Sequence, residues 1–198
     1  MSARAFASDE KSDRTKALYI AEFGPGKGAS PVLLGLFNHL SRSLRVSYFQ
    51  AISSRAYSLQ GEEQGSRHVQ LMRSAFRLIS EPSSMVGLGV DQARDMLANK
   101  KGDQLVNDVL ERYQDFSKDK EFTMIYGGRL GDLDLECQMA NTFGAPMVLI
   151  INAPAMSPKQ IVDRVMNALA QVRRSPGGVH YMYYMYYILY IYYMYYIY

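Results

Sequence analysis

The stretch Glu22 to Ser30, "EFGPGKGAS", gathers residue types that hold phosphate: three glycines, a lysine and a serine, directly after an apolar run. Glycines let backbone N–H groups turn toward an anion, and a following helix N-terminus adds positive partial charge. Gly24, Gly26, Lys27, Gly28 and Ser30 are therefore the candidate ligand-binding residues. Three readings of the loop stand side by side. The phosphate-loop pattern G-x-x-x-x-G-K-[ST], counted back from Ser30, puts Ala29 at the lysine position, Gly28 at the preceding glycine and Phe23 at the first glycine, so the strict pattern fails twice. Lys27 lies on the loop crest, two residues early. The dinucleotide pattern G-x-G-x-x-G/A is met by Gly24, Gly26 and Ala29, but it wants an acid at the end of the next strand, where "YFQAISSR" offers Gln50 and Arg55. A tight strand-to-helix turn, needing glycine only for its dihedrals, is the third. Charge favours an anionic ligand: no Asp or Glu falls between Glu22 and Glu62, whereas Lys27, Arg42, Arg45 and Arg55 do.

Other chemistry-bearing residues read more plainly. His39, His68 and His180 are scattered and match no metal-ligand spacing, so no metal site is expected. His68 reads as a helix-surface residue. Cys137, the one cysteine, reads as a buried structural thiol and excludes a disulfide framework. Asp132, Asp134 and Glu136 alternate in "GDLDLE", as in a solvated loop entering a helix. Asn152 closes an apolar run and either contacts a base or forms an Asx turn. No residue is singled out as catalytic.

These residues need a frame. "KALYIAEF" is short, apolar and followed at once by glycines, which predicts a strand. In "SPVLLGLFNHLSRS" the residues Val32, Leu33, Leu36, Phe37 and Leu40 recur at helical spacing, with Ser30 as N-cap and Pro31 at the first helical position. "LRVSYFQAI" is a second strand, completing a strand–loop–helix–strand unit. Gly61 to Lys118 reads as helical: "SRHVQLMRSAF", "DQARDMLANK" with Asp91 as N-cap, and "GDQLVNDVLERYQDF" with Leu105, Val109, Leu110 and Tyr113 on one face. "EFTMIYGG" is a third strand and "APMVLIINAP" a fourth. "LDLECQMANTFG" is a helix stopped by Gly144, and "SPKQIVDRVMNALAQVRR" a final helix capped by Ser157. Alternating strands and helices predict an α/β fold, a parallel sheet covered on both faces. Ligands in such sheets bind beyond the carboxyl ends of the strands, where the glycine loop falls.

The 198 residues suit one domain, taken as 16–174. Apolar content of 48% and charged content of 21% are ordinary for a globular chain, and a net charge of +3 gives no reason to expect nucleic acid. Residues 1–15 read as a disordered polar start or, through "RAFAS", as a transit-peptide remnant. The chain is accordingly cytoplasmic or organellar (mitochondrion or plastid), with no secretory signal. Residues 175–198 read as a low-complexity tail. Tyr181 to Tyr198 holds 11 of the 16 tyrosines and no charge, and its repeat of three is what a translated simple DNA repeat produces. Tyrosine through the centre argues against a membrane span. As an expressed segment it is an aggregation hazard.

The order "ALYIAEFGPGKGASPVLLGLFNHLSRSLRVSYFQAI", "RHVQLMRSAF", "GDQLVNDVLERYQDF" and "MANTFGAPMVLIINAPAMSPKQIVDRV" resembles the N-terminal domain of phosphate acetyltransferase, which is similar to dethiobiotin synthetase, a P-loop enzyme. The resemblance covers about Lys16 to Val172, and the order and spacing of the segments carry it. It implies a three-layer P-loop NTPase-like parallel sheet, incomplete at its C-terminal end. In long phosphate acetyltransferases this domain precedes the catalytic domain that moves acetyl between coenzyme A and phosphate, and it serves regulation and assembly. The residues after Arg174 cannot encode a catalytic domain, so the chain by itself is expected to transfer no acetyl groups. Its implied partners are a second copy of itself or a phosphate acetyltransferase catalytic domain. An ATP-dependent ligase of the dethiobiotin synthetase kind, or another NTPase, is the alternative. Against it, Ala29 replaces the loop lysine, Gln50 and Ala51 stand in the second strand where the family has lysine and proline, and Tyr126 stands for an acid, while Ser30 remains as a Mg²⁺ ligand. A dinucleotide-binding sensor is a further alternative. No cofactor is specified by the residues beyond a nucleotide or other phosphate-bearing ligand.

Overall fold

The computed structural model describes residues 16–24, 28–53, 66–128 and 130–175, and the backbone of 182–185. Gly26 and Lys27 of the loop, Arg55, residues 1–15 and the tail from 186 onward lie outside the described residues.

Twelve elements alternate along the chain: β1 (Lys16–Phe23), α1 (Ala29–Leu40), β2 (Val46–Ser53), α2 (Arg67–Phe76), β3 (Val86–Gly89), α3 (Val90–Ala98), α4 (Gly102–Ser117), β4 (Phe122–Tyr126), α5 (Leu133–Phe143), β5 (Met147–Ile151), α6 (Pro158–Arg174) and β6 (Met182–Met185). The strands form one sheet in the order β3-β2-β4-β1-β5-β6. Every pairing is parallel. Helices cover both faces. Tyr19 and Phe49 point to one face, where they meet Phe143 of α5 and Tyr113 and Phe116 of α4. Tyr126 points to the other and stacks on His68 of α2, while Phe37 of α1 and Phe76 of α2 lock their helices together at 4.4 Å. This is a three-layer α/β fold, consistent with the P-loop NTPase-like class.

The central strand shows why the sequence takes this form. Tyr19, Ile20 and Ala21 are fully buried, as a parallel strand covered on both faces requires. Its apolar run is continuous rather than alternating for that reason. Gly144 stops α5 in the left-handed region, at φ 63°. Ser157 caps α6 through a full capping box with Gln160. Among the described residues no helix is long and apolar enough to cross a membrane.

Three expectations are corrected. The segment between α2 and α4 is not wholly helical, because Val86–Gly89 forms β3 beside β2. A Cβ at Gly87 would lie 2.3 Å from the Ala51 carbonyl oxygen, so glycine here permits a close approach of backbones instead of breaking a strand. Gly89 rather than Asp91 stands at the N-cap of α3, and Asp91 lies in its first turn. Finally, α1 begins earlier than the Ser30–Pro31 reading allows. Gly28 is its N-cap, which makes Ala29 the first helical residue and puts Pro31 third. Proline is tolerated there because first-turn N–H groups have no intrahelical acceptor to lose. Beyond these, Met182–Met185 pairs with Met147–Ile150 as the sixth strand.

Candidate functional site

The glycine loop leaves the carboxyl end of β1, between β4 and β5, at the edge where parallel sheets take ligands. Gly24 opens it with φ +91°. A Cβ there would sit 2.9 Å from the Asn152 carbonyl oxygen and 3.2 Å from Nη1 of Arg164. Both the dihedral and the crowding demand glycine, so the turn itself accounts for Gly24. Arg164 of α6 donates to that same carbonyl at 2.6 Å, which ties α6 to the exit of β5 beside the start of the loop.

At the far end of the loop, Gly28 is buried and caps α1 with no side-chain hydrogen bond. Among the described residues no N-cap side chain serves the first-turn amides of α1, and such a helix N-terminus attracts anions. Ala29 is 2% exposed. Ser30 is half-buried, and its Oγ lies 3.2 Å from Nε2 of His68. His68 is therefore no surface decoration: its ring packs 4.9 Å from that of Tyr126, beneath the loop's exit.

Behind the loop runs a polar row along the sheet edge. Tyr126 Oη donates to Glu22 Oε2 at 2.8 Å, and Asn152 Nδ2 donates to Glu22 Oε1 at 2.5 Å. Asn152, left open between base contact and Asx turn, spends its amide on this carboxylate. Further along, Gln50 is 1% exposed, accepts from Ser66 Oγ at 2.5 Å and donates to the Ile52 carbonyl at 2.9 Å. Gln50 is thereby locked by its own hydrogen bonds. Tyr126 stands between its register partners Ile20 and Gln50 and points its hydroxyl at Glu22.

On the opposite face, the acidic run "GDLDLE" divides its labour. Asp132 caps α5 by accepting from the amides of Asp134 and Leu135. Asp134 accepts from Ser175 Oγ at 2.5 Å. Glu136, by contrast, is 2% exposed, which corrects the solvated reading. It shares the buried stripe of α5 with Leu133, Cys137 and Ala140, a helical spacing that the alternation of acids concealed. Burial above all pushes its carboxyl up to about 8, against the pull of the Tyr19 hydroxyl 2.6 Å away. Burial likewise pushes the Cys137 thiol up to about 11, in keeping with a structural role. Among the described residues no group of three or more His, Cys, Asp or Glu could hold a metal ion.

A cavity of about 300 Å³ opens beside the start of the loop, lined by Phe23, Met156, Gln160, Asp163, Arg164 and Asn167. A larger one, about 460 Å³, lies toward the end of α6 and has no contact with the loop. Of the loop residues proposed from sequence, Gly24, Gly28 and Ser30 are placed at one sheet edge. Glu22, Tyr126 and Arg164, which shape that edge, carried no pattern that sequence reasoning could use.

No protein-family profile matches the chain. Among solved structures, it is similar to a GTPase from Pyrococcus abyssi in its apo form, with 12% identity, 85% of this chain and 90% of that one covered, and a TM-score of 0.30.

Proposed function

We propose that this chain is a non-catalytic regulatory or assembly domain of the phosphate acetyltransferase N-terminal type, with a phosphate loop stripped of its catalytic charge. The observation that carries the reading is the start of α1 at Ala29, 2% exposed, which supports the register in which a small buried side chain replaces the phosphate-loop lysine. Phosphoryl transfer depends on positive charge neutralising the phosphates. The uncapped first turn of α1 favours retention of a phosphate-bearing ligand by Gly24, Gly26, Lys27, Gly28 and Ser30. Binding without turnover follows from that combination.

The test is a pair of measurements on the purified chain. Calorimetric titration with ATP and inorganic phosphate is expected to show binding that weakens in Gly28→Asp. Acetyl phosphate formation from acetyl-CoA and phosphate is expected to be absent, and its appearance would overturn the reading. The second reading, an ATP-dependent ligase or NTPase, draws on Ser30 at the second helical position, where a phosphate loop keeps its Mg²⁺ hydroxyl. Nucleotide hydrolysis that rises with Mg²⁺ and falls in Ser30→Ala would select it. A dinucleotide sensor would reveal itself by a change in NADH fluorescence on titration.

A further inference from the structure

At the end of the sheet opposite the glycine loop, where α1 gives way to β2, the helices α1 and α2 finish side by side. Phe37 and Phe76, with ring centroids 4.4 Å apart, hold the two helix ends together. The chain leaving each helix folds back on its last turn. The Leu44 amide donates to the Leu40 carbonyl at 3.0 Å, and the Leu78 amide to the Arg73 carbonyl at 3.3 Å. Both turns are thereby fixed to the paired helix ends. They carry two features. The first is apolar: Ile79 is 94% exposed and Leu44 36%. The second is charge: Arg42, Arg45 and Arg77 are exposed, and among the described residues none of them is in an ion pair. No described residue between Glu22 and Glu81 is an Asp or Glu. Arginine at a helix C-terminus complements the helix dipole, which explains part of the charge. It does not explain a large apolar side chain standing almost wholly in water beside that charge. Nor does it explain Arg77 at φ 51°, a left-handed position that glycine fills without strain.

We propose that this end of the molecule binds the surface of an anionic lipid bilayer, with Ile79 entering the boundary between headgroups and acyl chains and Arg42, Arg45 and Arg77 pairing with lipid phosphates. The charge complementarity is direct, since a guanidinium is always charged and offers a phosphate two parallel N–H donors. The exposure of Ile79 favours a bilayer over a protein partner. A protein would need a pocket shaped to a side chain that stands clear of the surface, whereas the acyl boundary accepts one of any shape. The contact is peripheral, as no helix among the described residues is long and apolar enough to cross a membrane. Resting on one apolar side chain and a few charges, it is weak, reversible and screened by salt. The proposal goes beyond the functional reading above and is independent of the glycine loop, which lies at the other end of the sheet.

Cosedimentation of the full chain with vesicles tests it. Phosphatidylcholine vesicles with roughly one-third phosphatidylglycerol are expected to hold the chain at low salt and release it as salt rises, and pure phosphatidylcholine to hold it about tenfold less. Arg42→Gln and Arg77→Gln are each expected to weaken binding by about fivefold, and Ile79→Ser by about threefold. The three side chains are exposed, so circular dichroism and melting of the variants should match the parent chain. Equal retention by both kinds of vesicle overturns the proposal, and so does retention that Ile79→Ser leaves unchanged. Release by inorganic phosphate where chloride of equal ionic strength does not release the chain would reveal a discrete anion site and overturn it too. A chain that ignores the vesicles but binds polyglutamate through the same arginines assigns this end to an acidic protein segment instead.

Discussion

Glu22, on the face covered by α1 and α2, and Glu136, on the face covered by α4 and α5, are both buried acids beside a tyrosine. Their settings differ in what they do with the charge. Glu22 accepts from Tyr126 at the end of β4 and from Asn152 at the exit of β5, so one carboxylate stitches three neighbouring strands together behind the loop. Glu136 accepts from the Tyr19 hydroxyl and sits against the backbone of Gly127. A carboxyl buried among apolar side chains does better neutral. The loop edge thus holds an acid that joins neighbouring strands, and the other face of the same sheet holds one that burial drives toward its neutral form.

The largest effect expected on this comparison is from Gly127→Ala. A Cβ there would fall 1.8 Å from Glu136 Oε2 and 2.4 Å from the Tyr19 hydroxyl. Both buried side chains must shift and their mutual hydrogen bond must adjust, and a loss of about 3 kcal/mol is expected in urea unfolding. Next comes pH. The carboxyl of Glu136 rises from 4.5 to about 8 on folding, so the folded state holds a proton that the unfolded state releases between those values. Stability should therefore fall as pH climbs from 4.5 to about 8, by up to about 1.4 kcal/mol per unit, then level off. Glu136→Gln should flatten that slope and, because it carries no proton to lose, should gain stability relative to the parent as pH rises from 4.5 toward 8. A variant as pH-sensitive as the parent would mean that another group carries the slope.

Glu22→Ala probes the other side. It leaves the Tyr126 hydroxyl and the Asn152 amide without their acceptor, and a loss of about 2 kcal/mol is expected by the same unfolding assay. Tyr19→Phe is the smallest, about 1 kcal/mol at neutral pH. Because the Tyr19 hydroxyl lowers the Glu136 carboxyl, its removal should also move the fall in stability to higher pH. A cost for Tyr19→Phe exceeding that for Glu22→Ala would reverse the comparison.

Much of the frame was legible because its signals are local. "KALYIAEF" marks β1 end to end, and Gly144 and the Ser157 box mark helix termini through backbone chemistry that depends on a few adjacent residues. β3 was not legible, because the close approach of Gly87 to β2 is a relation between distant segments. The same holds for the site. The loop glycines, Ser30 and the alanine at the lysine position could be read by counting along the chain. The tie between Glu22 and Asn152 spans residues far apart in sequence, and so does the contact of Ser30 with His68. Glu136 was hidden by its neighbours: Asp132 and Asp134 are exposed, and a two-residue rhythm drew attention from the helical stripe that buries it.

The strand order carries a consequence for how the chain comes to be folded in the cell. β1 is the first strand to be synthesised, yet its neighbours are β4 and β5, with Lys16 opposite Phe122 and Tyr19 opposite Met147. A central strand of the sheet must wait on a ribosome, without its native neighbours, until β4 and β5 have emerged. Such long-range closure is slow and exposes apolar backbone meanwhile. The nascent chain is thus a natural client for chaperones that hold extended apolar segments, and the middle of the sheet closes only once β5 has been made.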